Sequence, residues 1–315
     1  MSSLRCRSFA KINLHLEVLG RRADGYHELS TLFQSVELHD VLEVELTTQG
    51  YAVEVVEGEA PEDRTNLAVR AASALQARFA PDRGARIRLW KGIPLGSGLG
   101  GGSSNAATTL WALDRLLGGP ASAAELLGIA AELGADVPYF LHGGTAWGTG
   151  RGDHIQPLSD LAEQEVWLVT PPVAVSTADV FARLDAPYGN HLTPRETPSS
   201  IMRLVEAGTR ASADRLEAHN DLEEGVLSHY PEIREARAVL IEAGGAPVRL
   251  SGSGATLYAF FRAPVDIGAL RRRLPAGSRI VCSRTLSRQS YLASRIIDPL
   301  EGLPHMVRRD PAGAT

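Results

Sequence analysis

Pro94-Leu-Gly-Ser-Gly-Leu-Gly-Gly-Gly-Ser-Ser-Asn-Ala-Ala107 is a glycine-rich loop that runs directly into an apolar helical pattern. Gly96, Gly98, Gly100, Gly101 and Gly102 leave the backbone free to take positive φ, so that its N–H groups can converge on an anion without interference from side chains. Behind them Ala106, Ala107, Leu110, Leu113, Leu116 and Leu117 recur at helical spacing, which predicts a helix capped at Ser103 or Ser104. A helix N-terminus adds unpaired N–H groups and partial positive charge to the same place. A flexible linker would have no reason to stand between the apolar alternation Ile87-Arg-Leu-Trp90 and a buried helix. Two common phosphate loops are set aside by composition. No lysine follows the glycines as in Gly-Lys-Ser/Thr, and a strict Gly-x-Gly-x-x-Gly in strand-to-helix frame is not supplied, although Gly98-Leu-Gly-Gly-Gly-Ser comes close.

Upstream, residues 6–18 alternate loosely and read as a long strand carrying polar Lys11, Asn13 and His15. Lys11 is either solvated or a charge held against a site. Gly20 to Gly25 is a turn, and Tyr26-His27-Glu28 leads into strands at 29–38, 41–46 and 51–56, then a helix over 66–79. Beyond the loop, 121–133 is helical and closed by Gly134, and Asp136 follows as either a helix cap or a functional carboxylate. Residues 143–150 read as a tight strand.

A shift in composition near Asp160 divides the chain. The second part reads as a strand at 166–169, a helix at 177–184, a proline- and threonine-rich loop at 188–199, and helices around 201–205, 221–227 and 233–243. Residues 248–261 form two strands about Gly252-Ser253-Gly254, either a plain hairpin or a second lip over the glycine loop. After Leu286 no periodicity is evident, and the end is expected to be disordered.

The chain of 315 residues can bury a substantial core, and its net charge of −5 is mixed rather than segregated, which argues against a nucleic-acid face. Cys6 and Cys282 are too few for a disulfide framework or a metal cluster, and the nine histidines show no metal-ligand spacing. No long apolar run suggests a membrane span or a signal peptide, so a cytoplasmic protein is expected.

Three ordered segments resemble the motifs of the GHMP small-molecule kinases. They are Phe9-Ala-Lys-Ile-Asn-Leu14 with Asp24-Gly-Tyr-His27, the loop 94–107, and Ser251-Gly-Ser-Gly-Ala255. The resemblance covers roughly residues 5 to 290 and implies an α+β, two-domain fold with the active site in the cleft between domains. An N-terminal ATP-binding domain would take residues 1–160, a C-terminal domain 161–286 and an extension 287–315. The first motif, with Gly134-Ala-Asp-Val-Pro138, points to members that phosphorylate the tertiary hydroxyl of a cytidine-diphosphate-linked methylerythritol from ATP.

On that resemblance Asp136 is the base and Lys11 the cation beside it, stabilising charge on the attacking oxygen or the transferred phosphoryl. Pro94, Gly96, Ser97, Gly98, Leu99, Gly100, Gly101, Gly102, Ser103, Ser104 and Asn105 hold the nucleotide phosphates, with Lys91 and Asn66 on the adenine side. Mg2+ is implied, and Ser104 is its nearest hydroxyl. Tyr26 and Phe181 stack on the cytosine, while Asn13 and His27 read its polar edge with Thr177 nearby. Gly252, Ser253 and Gly254 form the supporting loop. No nucleic acid, membrane or obligate protein partner is expected. The rival readings are a kinase of the same family for homoserine, mevalonate or a sugar, and a catalytically silent metabolite-binding regulator.

Overall fold

The structure, a computed structural model, describes residues 3–188, 212–215 and 219–298. Its frame is a pair of long antiparallel strands, β1 (Ser3–Arg21) and β2 (His27–Thr47). The strands expected at 29–38 and 41–46 are therefore one, because a register shift between Phe9 and Ala10 bends the ladder without ending it. β1 is buried on both faces, which explains its pattern. Ala10, Ile12 and Leu14 enter a core with Leu32, Val36 and Tyr258, while Lys11 and Asn13 point the other way into a cavity. Lys11 is 3% exposed, so its charge is held against a site rather than solvated.

β3 (Tyr51–Glu57), α1 (Leu67–Phe79) and β4 (Gly84–Trp90) follow, with β4 antiparallel to the second half of β2 and β3 parallel to β4. The glycine loop leads into α2 (Gly101–Leu116) and then α3 (Ala123–Leu133), whose start is fixed by a Ser122–Glu125 capping box. α4 (Val137–His142) is short, and β5 (Thr145–Thr149) with β6 (His154–Pro157) closes a seven-stranded sheet. The apolar faces of α1, α2 and α3, including Leu75, Leu110, Leu113 and Ile129, meet Leu42, Val44, Ile87 and Leu89 of the sheet.

A second sheet opens with β7 (Glu165–Thr170). α5 (Thr177–Tyr188), β8 (His219–Asn220), α6 (Glu223–His229), α7 (Pro231–Glu242), β9 (Val248–Leu250), β10 (Leu257–Ala259), α8 (Ile267–Arg273), β11 (Arg279–Arg284) and α9 (Arg288–Ala293) complete the described chain. The second sheet is antiparallel in the order β11-β7-β10-β9. β8 leaves it and lies parallel to β1, so the second half of the chain contributes a strand to the first sheet.

The segment after Leu286 carries no periodicity in the sequence, and its described part, 287–298, is built into the fold. It forms α9 and lies along the first sheet, with Tyr291 against Phe9, a bridge from Ile296 to Cys6, and the Ile297 N–H donating to Arg5 O. Contacts of this kind, between residues hundreds of positions apart, leave no local periodicity. The expected loop at 188–199, apart from Tyr188 at the end of α5, the helix at 201–205 and the last ten or so residues, expected to be disordered, lie outside the described residues. Cys6 is buried, Cys282 is exposed and both are free.

Candidate active site

A cavity of about 780 Å³ is lined by residues of both halves of the chain. Its floor at one end is the glycine loop. Gly96, Gly98 and Gly100 have φ of 61°, 76° and 73°, the left-handed region that only glycine enters cheaply. Gly100 itself is the N-cap, so α2 begins three residues earlier than a Ser103 cap would place it. The exposed first turn therefore offers the N–H groups of Gly101, Gly102 and Ser103 to the cavity. A Cβ on Gly100 would stand 2.7 Å from the Phe140 ring, so the bare Cα is needed for packing as well as for conformation.

The segment about Gly252 is a second lip and not only a hairpin turn. The Ser251 hydroxyl donates to Gly98 O at 3.0 Å, and the Thr256 N–H donates to Ser97 O at 3.1 Å. Gly252 and Ser253 line the cavity, while Gly254 stands behind Gly98. The Ser253 and Thr177 hydroxyls are hydrogen-bonded at 2.7 Å, which ties the lip to the start of α5.

Lys11 and Asp136 meet where the loop adjoins the rest of the cavity. Lys11 Nζ lies 3.5 Å from Asp136 Oδ2 and donates to Asn13 Oδ1 at 2.6 Å. Its own backbone N–H is held by Leu99 O. Asn13 in turn donates to Thr31 Oγ1 at 2.8 Å, which fixes its amide. Asp136 occupies the N-cap position of α4 but makes no capping hydrogen bond, and its side chain is 32% exposed. The carboxylate thus keeps acceptor capacity for a ligand.

At the far end Tyr26, His27, Thr177 and Phe181 line the same cavity. His27 stacks on Phe181 with centroids 4.8 Å apart. Tyr26, 56% exposed, carries the Arg151 guanidinium 5.0 Å above its ring. Arg151 was not legible in the sequence as a site residue. It is aimed by Asp153 at 2.7 Å within a tight turn, and only the folded β5–β6 connection brings it to Tyr26.

Several expected residues stand elsewhere. Ser104 is fully buried with its hydroxyl donating to Phe9 O and accepting from Ser8, so it faces the sheet and cannot offer an oxygen to an ion in the cavity. The hydroxyl that lines the cavity is that of Ser103. Asn66 caps α1, accepting from the Ala68 N–H and donating to Pro61 O, and it does not line the cavity. Leu99 and Asn105 lie under the loop, where Asn105 donates to Asp40 and Ser8.

Lys91 does reach the cavity, but its ammonium is paired with Asp40, a fully buried carboxylate that no local pattern singles out. Asp40 also accepts the N–H groups of Gly92 and Ile93 at 2.7 Å each, so one side chain ties β2 to the entrance of the loop and to α2. Removing it leaves a lysine charge and two N–H groups without their partner. Asp40→Ala is expected to lower stability by about 3–5 kcal/mol, measured by urea denaturation, and a loss under about 1 kcal/mol would refute this role.

Residues 66–144 match the GHMP kinases N terminal domain and residues 201–278 match the GHMP kinases C terminal domain. The chain belongs to the GHMP kinases and, within them, to the 4-diphosphocytidyl-2-C-methyl-D-erythritol kinase family. A relative of that name from Desulfotalea psychrophila is 44% identical over 267 residues, covering 83% of this chain and 87% of its own length. A crystal structure of a 4-(cytidine 5'-diphospho)-2C-methyl-D-erythritol kinase superposes with a TM-score of 0.74 at 34% identity, over 90% of this chain and 99% of that one. A homoserine kinase from Cytophaga hutchinsonii, 20% identical, shares the fold with a TM-score of 0.65 over 91% of this chain and 96% of its own. Among the described residues no helix is long and apolar enough to cross a membrane.

Proposed function

We propose that this chain transfers the γ-phosphoryl group of ATP to the tertiary 2-hydroxyl of 4-diphosphocytidyl-2-C-methyl-D-erythritol, a step in isoprenoid precursor synthesis. The observation that carries the reading is the Lys11–Asp136 pair, 3.5 Å apart, in one cavity that has the glycine loop at one end and the Tyr26, His27 and Phe181 rings at the other. The loop and the first turn of α2 hold the phosphates through backbone N–H groups. The acceptor's base lies at the ring-lined end, with its diphosphate toward Arg151 and its methylerythritol hydroxyl toward Asp136.

Asp136 accepts the hydroxyl proton as the new oxygen–phosphorus bond forms and the bond from the γ-phosphorus to the bridging oxygen breaks, releasing ADP. The Lys11 ammonium, aimed by Asn13, stabilises charge on the attacking oxygen and the transferred group. A carboxylate is a weak base toward an alcohol, so positioning and electrostatics supply most of the acceleration.

Mg2+ fits the residues present. Among the described residues no group of His, Cys, Asp and Glu is placed to form a protein cage for a metal, which suits an ion held mainly by phosphate oxygens and water. The Ser103 hydroxyl, which lines the cavity at the first turn of α2, is the side-chain oxygen that would join its shell. When bound, the ion neutralises charge on the β- and γ-phosphate oxygens.

The test is phosphoryl transfer by the purified chain with MgATP and the cytidine-diphosphate acceptor, mevalonate or homoserine in parallel, with products read by phosphorus NMR. Selective turnover of the first supports the reading, and equal or better turnover of either other acceptor sinks it. The ring-lined end gives a second check. Phe181→Leu keeps the apolar volume packed against the second core but removes the ring, and should raise KM for the cytidine acceptor about 10-fold with little change in KM for ATP.

A further inference from the structure

We propose that the segment after Leu286 belongs to the catalytic apparatus, with Tyr291 and Arg295 acting as positioning residues that hold Asp136 in place through the carbonyl of Phe140. The inference rests on the reading of Asp136 as the base.

Asp136 has no hydrogen bond from its own turn, so its place depends on the helix it opens. α4 is only six residues long, too short to hold its shape without outside support. The Tyr139 hydroxyl is bonded to Ser35 Oγ and Gly144 O, and the support from the C-terminal segment falls on Phe140. Its carbonyl, one of the last in the helix and so without an intrahelical donor, accepts the Tyr291 hydroxyl at 2.7 Å and Arg295 Nη2 at 3.0 Å. Its ring, 1% exposed, fills the space against the bare Cα of Gly100 in the phosphate loop. One residue is thus gripped from behind by the C-terminal segment while its ring sets the distance between α4 and the loop. The helix ends at Gly143, where a Cβ would stand 2.2 Å from the Tyr291 ring, so the same tyrosine also braces the exit of α4.

The grip is itself anchored. Arg295 is 2% exposed, with its guanidinium 4.9 Å from the Trp111 ring of α2 and 5.0 Å from the Tyr291 ring. Its carbonyl accepts the Arg7 N–H at 2.7 Å, which locks the segment to β1, the strand that carries Lys11. Both partners of the 3.5 Å pair are therefore tied to the same short segment. A hydrophobic side chain would cover this part of the core at lower desolvation cost than a guanidinium. The arginine supplies directed donors that an aliphatic residue cannot.

The experiment is a double-mutant cycle on the full chain with MgATP and the cytidine-diphosphate acceptor. Tyr291→Phe combined with Arg295→Met, made in the native and in the Asp136→Asn background, is expected to lower kcat about 10-fold in the first and less than about 2-fold in the second, with both KM values within about 2-fold. Where the double variant does not fold, Tyr291→Phe, which removes only one hydroxyl, carries the same comparison. An unchanged kcat, an equal loss in both backgrounds, or a rise in KM that matches the loss in kcat overturns the proposal alone. Near-normal turnover of Asp136→Asn by itself overturns the base assignment and the proposal with it.

Discussion

Asp136→Asn is expected to lower kcat by about 1,000-fold while the dissociation constant for ATP stays within about 3-fold. The amide keeps the shape of the carboxylate but cannot take the hydroxyl proton, and it removes the negative partner of Lys11 at 3.5 Å. On the proposed reading, nucleotide affinity comes instead from the N–H groups of the loop and of the first turn of α2. Single-turnover phosphoryl transfer set beside calorimetric titration of ATP separates the two quantities. Turnover within about 10-fold of the native value would show that the proton leaves by another route.

The second large effect is expected at Gly98. Its ideal Cβ would lie 2.1 Å from Ser251 O and 2.9 Å from Gly254 O, both backbone atoms, and its φ of 76° strains any L side chain. A flexible neighbour could move aside, but the hairpin backbone cannot do so without breaking the bonds from Ser251 to Gly98 and from Thr256 to Ser97. Gly98→Ala should therefore raise KM for ATP by about 100-fold or abolish saturation, whereas affinity for the cytidine acceptor, measured by calorimetry, should change little. Gly96 serves as the control. It too has positive φ, but nothing lies within 4 Å of its ideal Cβ, so Gly96→Ala should cost much less. Equal losses at both positions would mean that backbone strain and not the hairpin contact governs the loop.

The parts legible in the sequence were those written locally. The glycine run, the helices over 66–79 and 121–133, the strand at 166–169 and the paired strands about Gly252 each carry their signal within a dozen residues. The strand by itself left Lys11 either solvated or held against a site, and only the resemblance of Phe9-Ala-Lys-Ile-Asn-Leu14 to the kinase motif put it beside Asp136. Ser104 was misjudged for a local reason as well. Serine is the better cap by propensity, but Gly100 in the left-handed region lets α2 start earlier, and that shift in phase turns Ser104 inward and Ser103 outward.

Asp40, Arg151, Tyr291 and Arg295 were missed because their meaning lies in distant partners. Asp40 sits in Glu37-Leu-His-Asp-Val-Leu-Glu43, where a charge in an alternating strand reads as a solvated face. Only the return of the chain at Gly92 and Ile93 gives it donors. Tyr291 and Arg295 stand more than 150 residues from Phe140 along the chain, at separations of 151 and 155, and no pattern of periodicity spans such a distance.

The bonds between the glycine loop and the hairpin also reach the ring-lined end of the cavity. At the glycine loop the two halves are joined by Ser251 to Gly98 and Thr256 to Ser97, and Asn220 ties the hairpin further through Leu250 O and Gly252 O. The Ser253 hydroxyl of the same hairpin is bonded to Thr177 at the start of α5, the helix whose Phe181 stacks on His27. One short hairpin therefore grips the glycine loop on one side and the ring-bearing helix on the other, so a displacement at either end of the cavity is carried to the opposite end through hydrogen bonds.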